Sequence, residues 1–173
     1  NLKANEAIKV TDLINEVSNN AAINFEDLTE GLTRTSAVFN QAGVSIEKLS
    51  GLLTGTNEIL QNVEVSSTGL ITISQRLRGI TEVGEDGAVA TSRLAEKFKE
   101  IANIDIFDQY GQLRDTYSIL EDMAKVFPSL TKNQRQYLSE LAAGKRQVKV
   151  LESLLTNWKG VEKAVKAATN SAG

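Results

Sequence analysis

Neither cysteine nor histidine occurs in this chain of 173 residues, and proline occurs once. The first two absences exclude a disulfide framework and every zinc site that needs thiolate or imidazole. They also remove serine–histidine and cysteine–histidine nucleophilic chemistry, which leaves carboxylates, lysine and tyrosine as the only groups for catalysis. Aromatic residues make up 5% of the chain, so its core must rest on Leu, Ile, Val and Ala. That favours packed helices over a sheet sandwich, which draws more heavily on aromatic and β-branched side chains. No apolar run approaches the ~20 residues of a membrane-spanning helix. No Asn-x-Ser/Thr acceptor for glycosylation is present. The chain opens Asn1-Leu2-Lys3, with neither an initiator methionine nor an apolar signal core, and reads as a segment cut from a longer polypeptide.

Apolar residues amount to 41% and charged residues to 24%, the composition of a folded chain rather than a disordered one. The net charge of −3 is unevenly spread. Residues 1–64 carry nine acids (Glu6, Asp12, Glu16, Glu26, Asp27, Glu30, Glu47, Glu58, Glu64) against Lys3, Lys9, Arg34 and Lys48. Residues 145–166 carry Lys145, Arg146, Lys149, Lys159, Lys163 and Lys166 against Glu152 and Glu162. Such a gradient serves a charged partner or a solvated helix face; positive charge this dilute does not grip nucleic acid.

Helical periodicity dominates, punctuated by glycine and small polar residues. Over residues 4–20 a wide stripe of Ala7, Ile8, Val10, Leu13, Ile14 and Val17 predicts a helix. Asn24 reads as the N-cap of the next, with Phe25, Leu28, Leu32 and Phe39 on one face and Gly43 as the break. Ser45 caps a third, with Ile46, Leu49, Leu52, Leu53, Ile59 and Leu60 inward. The openings "INFEDLTEGL" and "VSIEKLSGLL" resemble each other, though two copies do not make a solenoid. Residues 68–80 predict a further helix closed at Gly79. "TEVGEDGAVATS" reads as a loop, after which Thr91 or Ser92 caps a short helix through Ala102. Ile104 and Ile106 alternate with polar residues before "DQYG" and Leu113, which suggests a small β-hairpin over residues 103–115. Asp115 or Thr116 caps a helix through Met123, ahead of Pro128. Thr131 starts another that runs to Gly144, and the last pieces cover 145–156 and 158–168 with Trp158 packed at their junction. The expected fold is mainly α: a multi-helical bundle or array of six to eight short helices with one hairpin.

Motifs with chemical meaning dissolve on inspection. "AGKR" at 143–146 imitates the end of a phosphate-binding loop, but Ser139 replaces its first glycine and Arg146 its hydroxyl, and a helix precedes it. "DIFDQYGQLRDTY" imitates a calcium loop. With Gly111 at the glycine position, Ile106 and Tyr110 fall where carboxylates are needed. Neighbouring acids such as Glu26–Asp27 and Glu121–Asp122 point about 100° apart on a helix and so form no facing acid–base pair; Arg76 and Arg78 likewise diverge. "GLLTG" at 51–55 predicts close helix contact. The residues supply no catalytic, cofactor-binding or metal site.

In order, "AIKVTDLINEVSNN", "FEDLTEGLTRTSAVFNQAGVSIEKLSGLLTGTNEIL", "LITISQRLRG", "DQYGQLRDTYSILEDMAKVF" and "LSELAAGKRQVKVLESLLTNW" resemble the core region of phage tail tape measure proteins, those of long-tailed, non-contractile phages and prophages of Gram-positive bacteria. The likeness spans nearly the whole chain; only the loop "TEVGEDGAVATS" is shorter. It implies a structural protein that sets tail length during assembly inside the tail tube and leaves the tube when DNA is ejected. It implies as partners the tail tube protein, tail assembly chaperones, tail tip proteins and further copies of the chain, with neither nucleic-acid nor membrane binding by this segment, and assembly in the host cytoplasm. A helical domain of a peptidoglycan-active tail enzyme and a generic helical adaptor are the competing readings. The expected organisation is one module over residues 1–173: N-terminal helices 1–80, loop and short helix 81–102, hairpin 103–115, C-terminal helices 116–173. Its breaks at Gly43, Gly79, Gly84, Gly87, Gly111, Pro128 and Gly144 predict a compact segment rather than a rod. The apolar stripe Val161, Ala164, Val165 and Ala168 on the last helix is either packed internally or a contact for a chaperone.

Overall fold

A computed structural model describes residues 2–79 and 87–171, the side chains of 2 and 87–90 excepted. Among these residues it contains nine α-helices, two 3₁₀ turns and no strand. They are α1 (Leu2–Asn20), α2 (Phe25–Gln41), α3 (Ile46–Leu60), α4 (Val63–Leu77), α5 (Gly87–Ala102), α6 (Thr116–Val126), α7 (Lys132–Ala143), α8 (Val148–Thr156) and α9 (Trp158–Asn170). Every helix contributes to one connected cluster of buried apolar side chains. Helices of nine to nineteen residues are marginal alone in water, so this shared burial is what holds them.

Local signals place most helix starts. The side chains of Asn24, Ser45, Asp115 and Thr131 accept hydrogen bonds from the backbone N–H groups of Asp27, Lys48, Ser118 and Gln134. Each such cap contributes about 1 kcal/mol. Thr131 adds a capping box, its own N–H donating to the Gln134 side chain at 2.9 Å. Gly43, Gly79 and Gly144 take positive φ (74°, 80° and 72°) where helices end, a conformation other residues adopt at a cost.

Four expectations need correction. The predicted hairpin at 103–115 is a single antiparallel bridge between Phe107 and Leu113. Ile104 and Ile106 do both turn inward, at 2% and 1% exposure. However, the Asp108 carboxylate accepts the N–H groups of Tyr110 (2.8 Å) and Gln112 (2.9 Å), folding the segment into a turn that leaves no room for a ladder. Thr91 and Ser92 do not cap α5. That helix begins at Gly87, because Ala88-Val89-Ala90 continue it upstream, so both residues lie in its second turn; the loop residues 80–86, Gly84 among them, lie outside the described residues. α4 starts at Val63 rather than 68, capped by Asn62, whose side chain accepts from Val65 N–H at 3.0 Å. α6 reaches Val126, beyond Met123, and passes into the 3₁₀ turn Phe127–Ser129 that holds Pro128.

The closest helix packing joins α3 to α9, which run antiparallel: Gly51 faces Val165 and Val161, and Gly55 faces Val161. A methyl group added at Gly51 would sit 2.9 Å from the Val161 carbonyl oxygen, and one at Gly55 would sit 3.0 Å from the Val161 nitrogen. The spacing read in "GLLTG" is thus a close contact between α3 and α9. It buries Val161, Ala164 and Ala168 of the C-terminal stripe at 0%, 0% and 1% exposure. Asn157, at the bend between α8 and α9, fastens the seam: its amide donates to the Gly55 carbonyl (2.9 Å) and the Glu58 carboxylate (2.7 Å). The other Glu58 oxygen accepts the Ala22 N–H at 3.2 Å, tying in the α1–α2 connection. Trp158 packs on Tyr117 with ring centroids 5.3 Å apart and planes tilted by 46°. The Lys48 ammonium lies 5.0 Å from the Tyr117 ring centre. Burial, with smaller contributions from Glu121, Glu162 and Asp115, pushes the Tyr117 hydroxyl up to about 12.

Gly51→Ala is expected to destabilise the fold by ~1–3 kcal/mol in denaturant titrations, because overpacking outweighs the gain in helix propensity. Val165→Ala in the same chain should recover part of that loss. Tyr117 generates a second expectation. Its ordinary phenol value is near 10, and folding raises it, so its contribution is complete below pH 10 and is lost as pH rises through 12. At 1.36 kcal/mol per unit the loss is at most ~2.7 kcal/mol, and smaller to the extent that the hydroxyl keeps some water. Unfolding followed by far-ultraviolet dichroism between pH 9 and about 12.5 should show this decline in the wild type, and Tyr117→Phe should remove it.

Candidate interaction surfaces

The groups left for catalysis are dispersed. Asp27 accepts from the Asn24 amide at 3.1 Å, Glu121 pairs with Lys125 at 3.3 Å and Asp122 with Arg114 at 2.9 Å. Each carboxylate serves a cap or an ion pair on its own surface. No group of three or more acids among the described residues could hold a metal ion. Tyr117, kept protonated by its surroundings, is a poor proton donor near neutral pH. The calcium-like loop has committed Asp108 to its own backbone.

"AGKR" is a helix break. Gly144 ends α7, and the Arg76 guanidinium lies against it while donating to the carbonyls of Leu141 (3.3 Å) and Glu140 (3.4 Å). A cation here satisfies orphan carbonyls and meets the negative end of the helix dipole. Arg135 does the same after α6, donating to Phe127 (2.9 Å) and Pro128 (2.7 Å). Arg76 and Arg78 therefore do not act together: the first is committed to α7.

The surface is polarised along the bundle. One end gathers the C-terminal ends of α1 and α3 and the N-terminal ends of α2, α4 and α9, as the Ala22–Glu58 and Asn157–Gly55 bonds and the approach of Gly31 to Val63 require. Glu16, Glu26, Asp27, Glu58 and Glu64 stand there, with Lys159 in their midst. Capping explains this arrangement, since α2 and α4 both open at this end and acids favour helix N-termini. Among the acids Phe25, Ile59 and Val65 remain 40%, 53% and 44% exposed. The inward placement expected of Phe25 and Ile59 is thus corrected, as is that of Ile8 at 59% on α1: each lies on a stretch of helix that no neighbour covers.

At the opposite end, the close of α4 meets the α7–α8 corner, bringing Arg78, Lys145, Arg146 and Lys149 together; none forms an ion pair among the described residues. A groove of about 510 Å³ runs from this corner along the flank formed by α7 and α8 as far as Thr156. Phe127 and Val148 supply apolar lining, and Lys132, Arg135 and Lys145 supply positive charge, with Glu140 and Glu152 also on its walls. The charge gradient visible along the sequence contained Lys145, Arg146 and Lys149 but not Arg78, Lys132 or Arg135, whose place beside them depends on where α4 finishes and how α7 packs on α8.

Among the described residues no helix is long and apolar enough to cross a membrane. A family model described as phage-related minor tail protein matches residues 1–144. No solved structure matches the chain.

Proposed function

We infer the function from one premise: the chain belongs to the phage-related minor tail protein family. Its role is structural, and its place is the virion tail. From this we propose that the chain is a segment of the tail tape measure protein, of the kind found in Gram-positive long-tailed phages and prophages. Tail tube subunits would polymerise around the full protein until they reach its end, which sets tail length, and the protein would leave the tube at DNA ejection. Tail assembly chaperones, the tube protein, tip proteins and further copies of the chain are the partners of this reading. The family match over most of the chain carries it, and the five ordered stretches quoted above support the finer assignment.

A ruler needs length in proportion to residue number. One continuous helix of 173 residues would reach ~260 Å at 1.5 Å per residue. Among the described residues the longest helix has nineteen, and all nine helices there fold back into one core. The segment is proposed to be a single folded module that either stands outside the measuring stretch or opens to enter the tube.

Two measurements test these statements separately. Removing the full gene product from the phage should abolish tails of regulated length, as seen by electron microscopy; normal tails in its absence would refute the tape measure reading. Deleting residues 1–173 in frame should leave the length of any assembled tails unchanged if the module stands outside the ruler, and shorten them by ~260 Å if it lies within as helix. Small-angle scattering of the isolated segment should give a radius of gyration of roughly 16 Å by globular scaling. A rod-like profile would exclude the folded module.

A further inference from the structure

Two helices meet at Asn157 without a sequence signal to part them. α2, α4 and α7 close at Gly43, Gly79 and Gly144, all of positive φ. Neither glycine nor proline stands between Thr156 and Trp158. Val150, Leu154, Trp158, Val161, Val165 and Ala168 keep three- and four-residue steps straight through the bend, the pattern of one helix over residues 148–170. The backbone ladder is barely interrupted. Asn157 N–H donates to the Ser153 carbonyl at 3.2 Å, and the Asn157 carbonyl accepts from Gly160 (3.0 Å) and Val161 (3.3 Å).

Tertiary contacts are what turn the chain back. α8 runs toward the acidic end and α9 returns from it, with one residue between them. The Asn157 amide holds this reversal through the Gly55 carbonyl and Glu58. Gly160 leaves room for it, since a Cβ there would collide with the Glu58 carboxylate and the Asn157 amide. A hinge this short, set against local helix preference, invites exchange of the element beyond it between copies.

We propose that two copies of this chain exchange α9. In the exchanged form α8 and α9 join into one helix of ~35 Å, and each α9 seats on α3 of the other copy. The order of contacts fixes the arrangement. α9 meets Gly55 before Gly51, so it enters the second bundle by the acidic end, the same end through which it leaves its own. The copies are therefore related by a two-fold axis with their acidic ends together, an isologous contact. Those ends carry Phe25, Ile59 and Val65, which remain exposed within one copy. They also carry Glu16, Glu26, Asp27 and Glu64, whose repulsion across the axis salt relieves. The exchange depends on the fold alone and not on the tape measure assignment.

Refolding from denaturant tests this, because α9 has to leave its seat before it can be traded. Refolded at about 1 mM, near the effective concentration of a short intramolecular link, the chain should sediment in part at twice the 18.8 kDa monomer. Refolded at ~1 µM it should be monomeric. The dimer fraction should rise at least ~3-fold between roughly 0.01 M and 1 M salt, as the screening length falls from about 30 Å to ~3 Å. Asn157→Ala removes the tie and favours helix, and should lower the concentration for half-dimerisation by ~10-fold. Lys159→Pro is tolerated in the first turn of α9 but clashes within a continuous helix, and should abolish the dimer. Three glycines inserted between Thr156 and Asn157, less demanding on folding, should do the same by relaxing the hinge. Circular dichroism monitors helix content throughout. Wild type and Asn157→Ala that both stay monomeric after refolding at high concentration would overturn the proposal. So would a dimer that the proline and the insertion leave unchanged, or one that salt dissociates.

Discussion

The fold depends on two helices approaching more closely than side chains normally allow. Between Gly51 and Gly55 of α3 and Val161 and Val165 of α9 there is no Cβ on the α3 side, so the valines rest directly on backbone. Such contact gathers many weak dispersion interactions over a small area. It also fixes a direction, because Asn157 must reach the Gly55 carbonyl and Glu58 at the same time. The final helix is thereby returned across the middle of the chain, and the α1–α2 connection is bound through the second Glu58 oxygen. Similar approaches recur where Gly69 faces Val150 and Gly31 faces Leu53 and Val63, so glycine paired with a branched residue is the working joint of this bundle.

What the sequence disclosed follows from what governs each feature. Helix starts at Asn24, Ser45 and Thr131 are decided within four residues, and local chemistry suffices to read them. Asn62 escaped because no glycine precedes it: the turn between α3 and α4 is made by Gln61 at φ 51°, in a region that glycine usually occupies. At residues 103–115 the alternation was real but too short, and the Asp108 side chain took N–H groups that a ladder would have used. Periodicity gave the apolar faces of α1, α2 and α3, yet Ile8, Phe25 and Ile59 are exposed. Whether a face is covered depends on how far the neighbouring helix extends, which is not written in the helix itself. The candidate surface was therefore invisible as a surface, although each of its charges could be counted.

The polarity of the molecule follows from helix chemistry. Acids at helix starts and cations at helix ends are ordinary devices, each contributing tenths of a kcal/mol. Here α2 and α4 open at one end, and α4 and α7 finish together, so these local preferences add to a separation of charge across the bundle. Lys145 and Arg146, which directly follow the end of α7, add to that separation.

The way polar groups are satisfied in the core bears on how such a module would yield to assembly. The buried hydroxyls of Thr35, Ser50, Thr56, Ser66 and Ser153 donate to carbonyls four residues earlier in their own helices, at 2.7 to 2.9 Å. These bonds need no partner from a neighbouring helix. Side-chain bonds that join distant elements among the described residues centre on a few sites: Asn157 and Glu58, Ser74 with Thr116, and Arg76 on the end of α7. Separation would break few side-chain bonds between elements; its main cost is the exposure of the shared apolar core that holds these short helices. The cohesion of the module is therefore chiefly apolar packing between helices, with polar ties at Asn157, Glu58, Ser74 and Arg76 fixing how the helices are placed.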